Sequence, residues 1–139
     1  MKTDYMVIGR VRNFENITRL VKGIEGKGYV CYNFLHKPAA PEVAHLPWEE
    51  QMSILESHPD FWNDKNHIEH FETDMAGLKN ADTIVMLLPA GLAAHMEAGV
   101  SHGLGKKMIL IGEVEKPETL YLMFDEQYPD IESFLESIE

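Results

Sequence analysis

Cysteine is almost missing from this chain of 139 residues. The single Cys31 excludes an internal disulfide and a multi-cysteine metal site, and it fits a reducing compartment, with the cytoplasm as the expected location. Positive charge is scarce too: 12 Lys and Arg stand against 23 Asp and Glu, a net charge of −11. Such a surface lacks the clustered cations that meet a phosphate backbone, so no nucleic-acid partner is expected. A small anionic ligand would need a local basic or backbone-amide site. No run approaches the roughly 18–20 apolar residues that span a bilayer, so no membrane partner is expected. The first apolar run, Tyr5–Ile8, is short, lies behind an acid and does not read as a signal peptide. Internal repeats, low-complexity tracts and linkers are missing as well, and 45% hydrophobic residues suffice for one core, so residues 1–139 read as one domain.

Familiar cofactor motifs are also wanting. A phosphate-binding G-x-x-x-x-G-K would need glycine where Val100 stands before Gly105-Lys106, and G-x-G-x-x-G does not occur. His95-Met96-Glu97 matches half of the zinc-deaminase signature, but its P-C-x-x-C half cannot be built with one cysteine. His67, His70 and Asp74 share a helical face at i, i+3 and i+7; solvated helices often carry such sets, and neither a metal nor a cofactor is expected.

What the chain does contain is an alternation of strand and helix. Tyr5–Gly9 is a continuous apolar run, the mark of a strand covered on both faces. Asn13 is placed to cap a helix whose apolar positions are Phe14, Ile17, Leu20, Val21 and Ile24, closed by Gly26 and Gly28. Tyr29–Phe34 predicts a second strand. Residues 35–46 read as the longest loop, a candidate lid. Pro47 then opens a helix with Trp48, Met52 and Leu55, running to His58 and stopped by Pro59. Ile68, Phe71, Met75 and Leu78 give a helical face over about 63–80, Thr83–Leu88 a central strand, and Lys107–Gly112 another. In the tail, Pro117–Phe124 predicts a helix, Glu126–Tyr128 an edge strand, and Asp130 the cap of a final helix with Ile131, Phe134, Leu135 and Ile138. The pattern predicts an α/β three-layer sandwich, flavodoxin-like (Rossmann-like), with four or five parallel strands in the order 2-1-3-4-5. Its ligand crevice would lie beyond the strands' carboxyl ends, between the loops Gly9–Asn13 and Pro89–His95.

The chain is organised around Pro89–Lys106. Gly91 turns the backbone after the strand, Gly99 and Gly103 leave a bare helix face, and Gly105 ends the helix. On this small-residue helix Glu97 is out of place unless it acts on something; otherwise it is a surface acid favoured by the helix dipole. His95 falls in the proposed crevice, while His102, seven residues on, reads as a packing or capping residue. Asp74, on the helix before the central strand, pairs with Glu97 on the helix after it. Two carboxylates flanking an anomeric carbon are what glycosidic cleavage requires, one to attack or stabilise an oxocarbenium-like centre and one to handle a proton.

Three segments carry a resemblance: Gly9–Arg12, Asp74–Leu88 and His95–Leu110. With Asp74, Leu78 and Asp82, then Glu97, Gly99, Ser101, Gly105 and Lys106, the chain resembles the nucleoside 2-deoxyribosyltransferase family and its relatives that hydrolyse nucleoside monophosphates. The resemblance implies an enzyme acting on the N-glycosidic bond of a nucleoside or nucleotide, with Glu97 as nucleophile or oxocarbenium stabiliser and Asp74 beside it. It implies substrate contacts from Gly9, Arg10, Arg12, Pro89, Gly91, His95 and Ser101, with Arg12 near a 5′-phosphate, and a homo-oligomer, a dimer or larger. The apolar tail residues Leu120, Tyr121 and Phe124 are the candidate contact between subunits. The chain departs from the family at Val7, where the transferases carry an aromatic residue. It departs again at Pro89–His95, which has neither the transferases' extra aspartate nor the hydrolases' phosphate-binding serine. These departures leave an alternative of another class, a non-catalytic module that binds a nucleotide-like ligand. A third is a flavodoxin-like domain whose crevice holds a partner protein.

Overall fold

Alternation of apolar side chains along three strands sets the middle of the molecule. In the computed structural model, which describes residues 2–36, 46, 47, 49, 50, 53 and 60–139, β1 spans Thr3–Ile8, β3 Ala81–Leu87 and β4 Lys107–Ile111. Edge strands β2 (Cys31–Tyr32) and β5 (Glu126–Tyr128) complete a five-stranded, all-parallel sheet in the order β2-β1-β3-β4-β5. The fold is thus the expected flavodoxin-like sandwich.

Successive side chains point to opposite faces, so each central strand feeds two cores. Met6, Ile8, Ile84, Met86, Met108 and Leu110 lie on one face, under α2 (Lys65–Asn80) and α3 (Leu92–Gly103). Val7, Val85, Leu87, Ile109 and Ile111 lie on the other, under α1 (Phe14–Gly26) and α4 (Ile131–Ser137). Each such side chain, taken fully out of water, contributes about 1.5–3 kcal/mol before the entropy cost of ordering the chain. Asp130 caps α4 by accepting from Ser133 N at 2.7 Å, as expected, and Arg19 of α1 ion-pairs with Glu132 of α4.

Several expectations change. Asn13 does not cap α1 with its side chain, because a 3-10 turn, Val11–Asn13, already leads into the helix; its Oδ1 accepts from Asn16 instead. The second strand shrinks to two residues, since Val30 is exposed and its backbone is engaged with Asp4. On α2 only Gly77 and Leu78 are buried, and Phe71 remains 64% exposed, so the periodic stripe is covered only near its carboxyl end. The segment before β5 forms a 3-10 helix, Thr119–Met123, and the chain then turns so that Asp125 accepts from Met108 N near the start of β4. Of the expected lid loop only Leu35, His36 and Leu46 are described, and Trp48, Met52, Leu55, His58 and Pro59 of the helix after it lie outside the described residues. Among the described residues, no helix is long and apolar enough to cross a membrane.

Candidate active site

The loops that leave β1 and β3 meet at the carboxyl edge. A Cβ on Gly9 would stand 3.3 Å from Leu87 O, and one on Gly91 would stand 3.5 Å from Cγ of Arg10 and 3.8 Å from its Nε. Gly9, Arg10 and Gly91 therefore come together, with the exposed Arg10 side chain lying against Gly91. Pro89 follows a cis peptide bond and is exposed at the same edge; Arg12 is exposed on the 3-10 turn.

Below this edge, α2 and α3 lie on the same face of the sheet. Met75 and Leu78 of α2 and Ala94 and Ala98 of α3 belong to one apolar cluster over Met6, Ile8 and Met86. Asp74 precedes Met75 and Glu97 precedes Ala98, and both acids are half-buried. Neither stands alone, since each interacts with groups around it. Tyr32 of β2 reaches this face too. A Cβ on Gly77, one turn from Asp74, would meet Met6 Sδ at 3.1 Å and Tyr32 Cε1 at 3.2 Å, so the missing side chain is what lets α2 settle onto that ring. Burial, and then the negative charge of Glu97, push the Tyr32 phenol up from its usual range.

Sequence reading did not single out Tyr32, which the structure brings to the face that carries Asp74 and Glu97. Val7, where an aromatic was sought, faces the opposite core, while a phenol arrives from the neighbouring strand. Its only sequence signal was an aromatic in a strand run, which does not tell which face it takes.

Ser101 does not line a ligand surface. It is 0% exposed and donates its hydroxyl to Glu97 O at 2.8 Å, so it secures the turn of α3 that carries Glu97. His95 is fixed at both nitrogens, with Nδ1 2.7 Å from Gly91 O and Nε2 2.9 Å from Tyr121 Oη. His67 is committed to the start of α2, where Asp64 Oδ2 accepts from its backbone N at 3.0 Å and lies 2.6 Å from its Nδ1. Among the described residues no group of three or more His, Cys, Asp or Glu side chains is placed to hold a metal ion. Cys31 is no nucleophile at neutral pH, because burial pushes its thiol up to about 12. A small hollow of about 130 Å³ between Thr3, Tyr32 and Asn80 lies toward the amino end of β1, away from the carboxyl edge, and a cleft of about 440 Å³ opens at that edge beside Pro89 and His95.

No protein-family model and no curated protein matches the chain. Among solved structures, it is similar to a 2-deoxyribosyltransferase from the psychrotolerant bacterium Bacillus psychrosaccharolyticus, with a TM-score of 0.66 and 14% identity over 95% of this chain and 90% of that one. It is also similar to the CMP N-glycosidase BcmB of Clostridium botulinum, with a TM-score of 0.54 and 16% identity over 96% of this chain and 97% of that one. At such identities the likeness is one of fold, and over nearly its whole length this chain has the fold of a 2-deoxyribosyltransferase and of a CMP N-glycosidase.

Proposed function

We propose that the chain is an enzyme acting on the N-glycosidic bond of a nucleoside or nucleotide, by transfer or by hydrolysis. The observation that carries this reading is that Asp74 and Glu97, both half-buried, stand on two helices that pack over one sheet face, in a fold shared with enzymes of that chemistry.

In this reading the Glu97 carboxylate attacks the anomeric carbon, or supports its positive charge. The C–N bond breaks and its electron pair leaves with the base, which takes a proton delivered through Asp74. A second base or a water molecule then attacks the same carbon and frees Glu97. Gly9, Arg10, Pro89, Gly91 and His95 form the substrate edge, with Arg10 and Arg12 as the cations available to a 5′-phosphate.

The same reading makes the chain a homo-oligomer that pairs through α3 rather than through the tail. Phe124 is buried in its own core and Tyr121 is bound to His95, which leaves Leu120 alone of the expected contact. The outward face of α3, by contrast, is uncharged: Leu92 (79% exposed) and Met96 (64% exposed) give bulk at one end, and Gly99 and Gly103, with open space over both, leave a hollow at the other. An antiparallel crossing with a second copy lays each Leu92 over the other's Gly103 and each Met96 over Gly99, a self-complementary contact that keeps two acidic chains' charges apart.

The test of activity is incubation with a panel of nucleosides and nucleoside monophosphates, followed by chromatography for free base. Base release that Glu97→Ala lowers by several orders of magnitude supports the reading. A ligand-induced rise in melting temperature without turnover favours the binding module instead.

A further inference from the structure

Thr3, at the start of β1, carries a polar group that the fold leaves unsatisfied. The residue is 4% exposed, and its hydroxyl oxygen has no hydrogen-bond partner among the described residues. Burying a hydroxyl without a partner is costly, so the group calls for an occupant beside it. Thr3 pairs with Ala81, which belongs to the apolar cluster under α2, and neighbours paired across parallel strands share a face. On that face lies the hollow of about 130 Å³, lined by Thr3, Tyr32, Thr73, Ala76, Gly77 and Asn80. Ala76 and Gly77 give α2 almost no bulk there, and β2, only two residues long, contributes the Tyr32 ring alone. The described lining residues include neither Asp74 nor Glu97.

The lining decides what such an occupant must be. Among the described residues it holds no charged side chain, so an ion entering it would lose water without meeting a counter-charge. Thr73 has spent its hydroxyl proton on Glu69 O, 2.8 Å away. The Thr3 hydroxyl, by contrast, still has its proton to give and faces no acceptor in the protein. The Tyr32 ring supplies a flat wall, and the Ala76 methyl and the bare Gly77 supply apolar ones. A cavity of about 150 Å³ holds a benzene ring, so this one admits a ring of about six atoms.

We propose that this hollow is a binding site for a small neutral ring-shaped molecule that lies against Tyr32 and accepts a hydrogen bond from the Thr3 hydroxyl. Phenol is the simplest probe of that class. The inference goes beyond the N-glycosidic reading and does not depend on it, since the hollow lies toward the amino end of β1, away from the carboxyl edge.

The experiment is titration of the isotope-labelled full chain with phenol, toluene and N-methylpyridinium, three molecules of equal size, followed by amide chemical shifts. Phenol is expected to shift the amides around Thr3, Tyr32 and Gly77 and to bind about fivefold more tightly than toluene, the worth of one hydrogen bond. The cation is expected not to bind there. Thr3→Val should remove the advantage of phenol and leave toluene binding unchanged. It should not lower the melting temperature, because the hydroxyl it removes has no partner to lose. Ala76→Leu, at an exposed position of α2, should block the hollow to both molecules, and it decides the matter if Thr3→Val fails to fold. No shifts at these residues with phenol at about 10 mM, equal affinity for phenol and toluene, or binding of the cation at the same place overturns the proposal. So does an advantage of phenol that survives Thr3→Val, binding that survives Ala76→Leu, or a folded Thr3→Val with a clearly lower melting temperature, which would mean that the hydroxyl is already bonded.

Discussion

Replacing Gly77 with alanine tests the packing of α2 on Tyr32. In the interior of α2 the exchange gains about 0.8–1 kcal/mol of helix propensity. Against this, the new methyl group would lie 3.1 Å from Met6 Sδ, 3.2 Å from Tyr32 Cε1 and 3.3 Å from Met6 Cε. Met6 is 0% exposed and sits in the core, so an overpacking cost of about 1–3 kcal/mol is expected to outweigh the gain. The expected net effect is a loss of about 1 kcal/mol, or a melting temperature lower by about 3–5 °C in a chain of this size. Gly99→Ala in α3 is the matched control, because nothing lies within 4 Å of the added methyl. At low protein concentration it should stabilise by about 0.5–1 kcal/mol. If α3 pairs with a second copy, the same methyl should weaken that pairing, and the gain should reverse as concentration rises. Urea unfolding followed by circular dichroism, with light scattering for mass, reads both variants. If Gly77→Ala stabilises as much as Gly99→Ala, then α2 does not rest on Met6 and Tyr32. A monomer at every concentration, with Gly99→Ala always stabilising, ends the case for pairing through α3.

The remaining predictions concern charge and the thiol. Lys107 and Glu126 tie β4 to β5 at 2.7 Å, and this bond raises the lysine and lowers the glutamate from their ordinary ranges. The lowered carboxylate stabilises above its usual range near 4.5 and loses that contribution as pH falls through its lower folded value, while the raised lysine loses its contribution only above 10.5. Glu126→Gln should therefore cost about 0.2–1 kcal/mol at pH 7, since both groups are partly exposed and screened by solvent, and nothing at pH 2; an equal cost at both pH values would show that the bond is not ionic. For Cys31, a thiol pushed up to about 12 leaves roughly a thousandth of an ordinary cysteine's thiolate at pH 8, so alkylation by iodoacetamide should be about a thousandfold slower in the folded chain than in urea. Equal rates in both conditions would mean that the thiol is not sealed.

The central strands, the helix after β3 and the sheet order were legible because each rests on an unbroken local signal: apolar runs at Met6–Ile8, Ile84–Leu87 and Met108–Ile111, and glycines bounding Leu92–Gly103. The misjudged elements depend on distant partners. Ile68 and Phe71 hold helical spacing, yet only the end of α2 meets the core, so a correct period gave a wrong burial. Tyr29–Phe34 has strand-forming composition, but one neighbour on one side pairs only Cys31 and Tyr32. At the candidate site, Asp74 and Glu97 were picked out as a pair of acids on the helices before and after the central strand, and the structure lays those helices over one sheet face. Ser101 was chosen through the resemblance; in the structure it is buried and its hydroxyl bonds back to the carbonyl four residues earlier, a contact that the resemblance does not announce. The contact of His95 with Tyr121 joins α3 to the 3-10 helix before β5, and no local pattern announces it.

The most direct test of the account is the rate of base release by the wild-type chain and by Glu97→Ala, each purified and shown to be folded, on whichever nucleoside or nucleotide of the panel the wild type cleaves. The account predicts measurable release by the wild type and a fall of several orders of magnitude in the variant. No release from any substrate, or a variant rate within tenfold of the wild type, would contradict it.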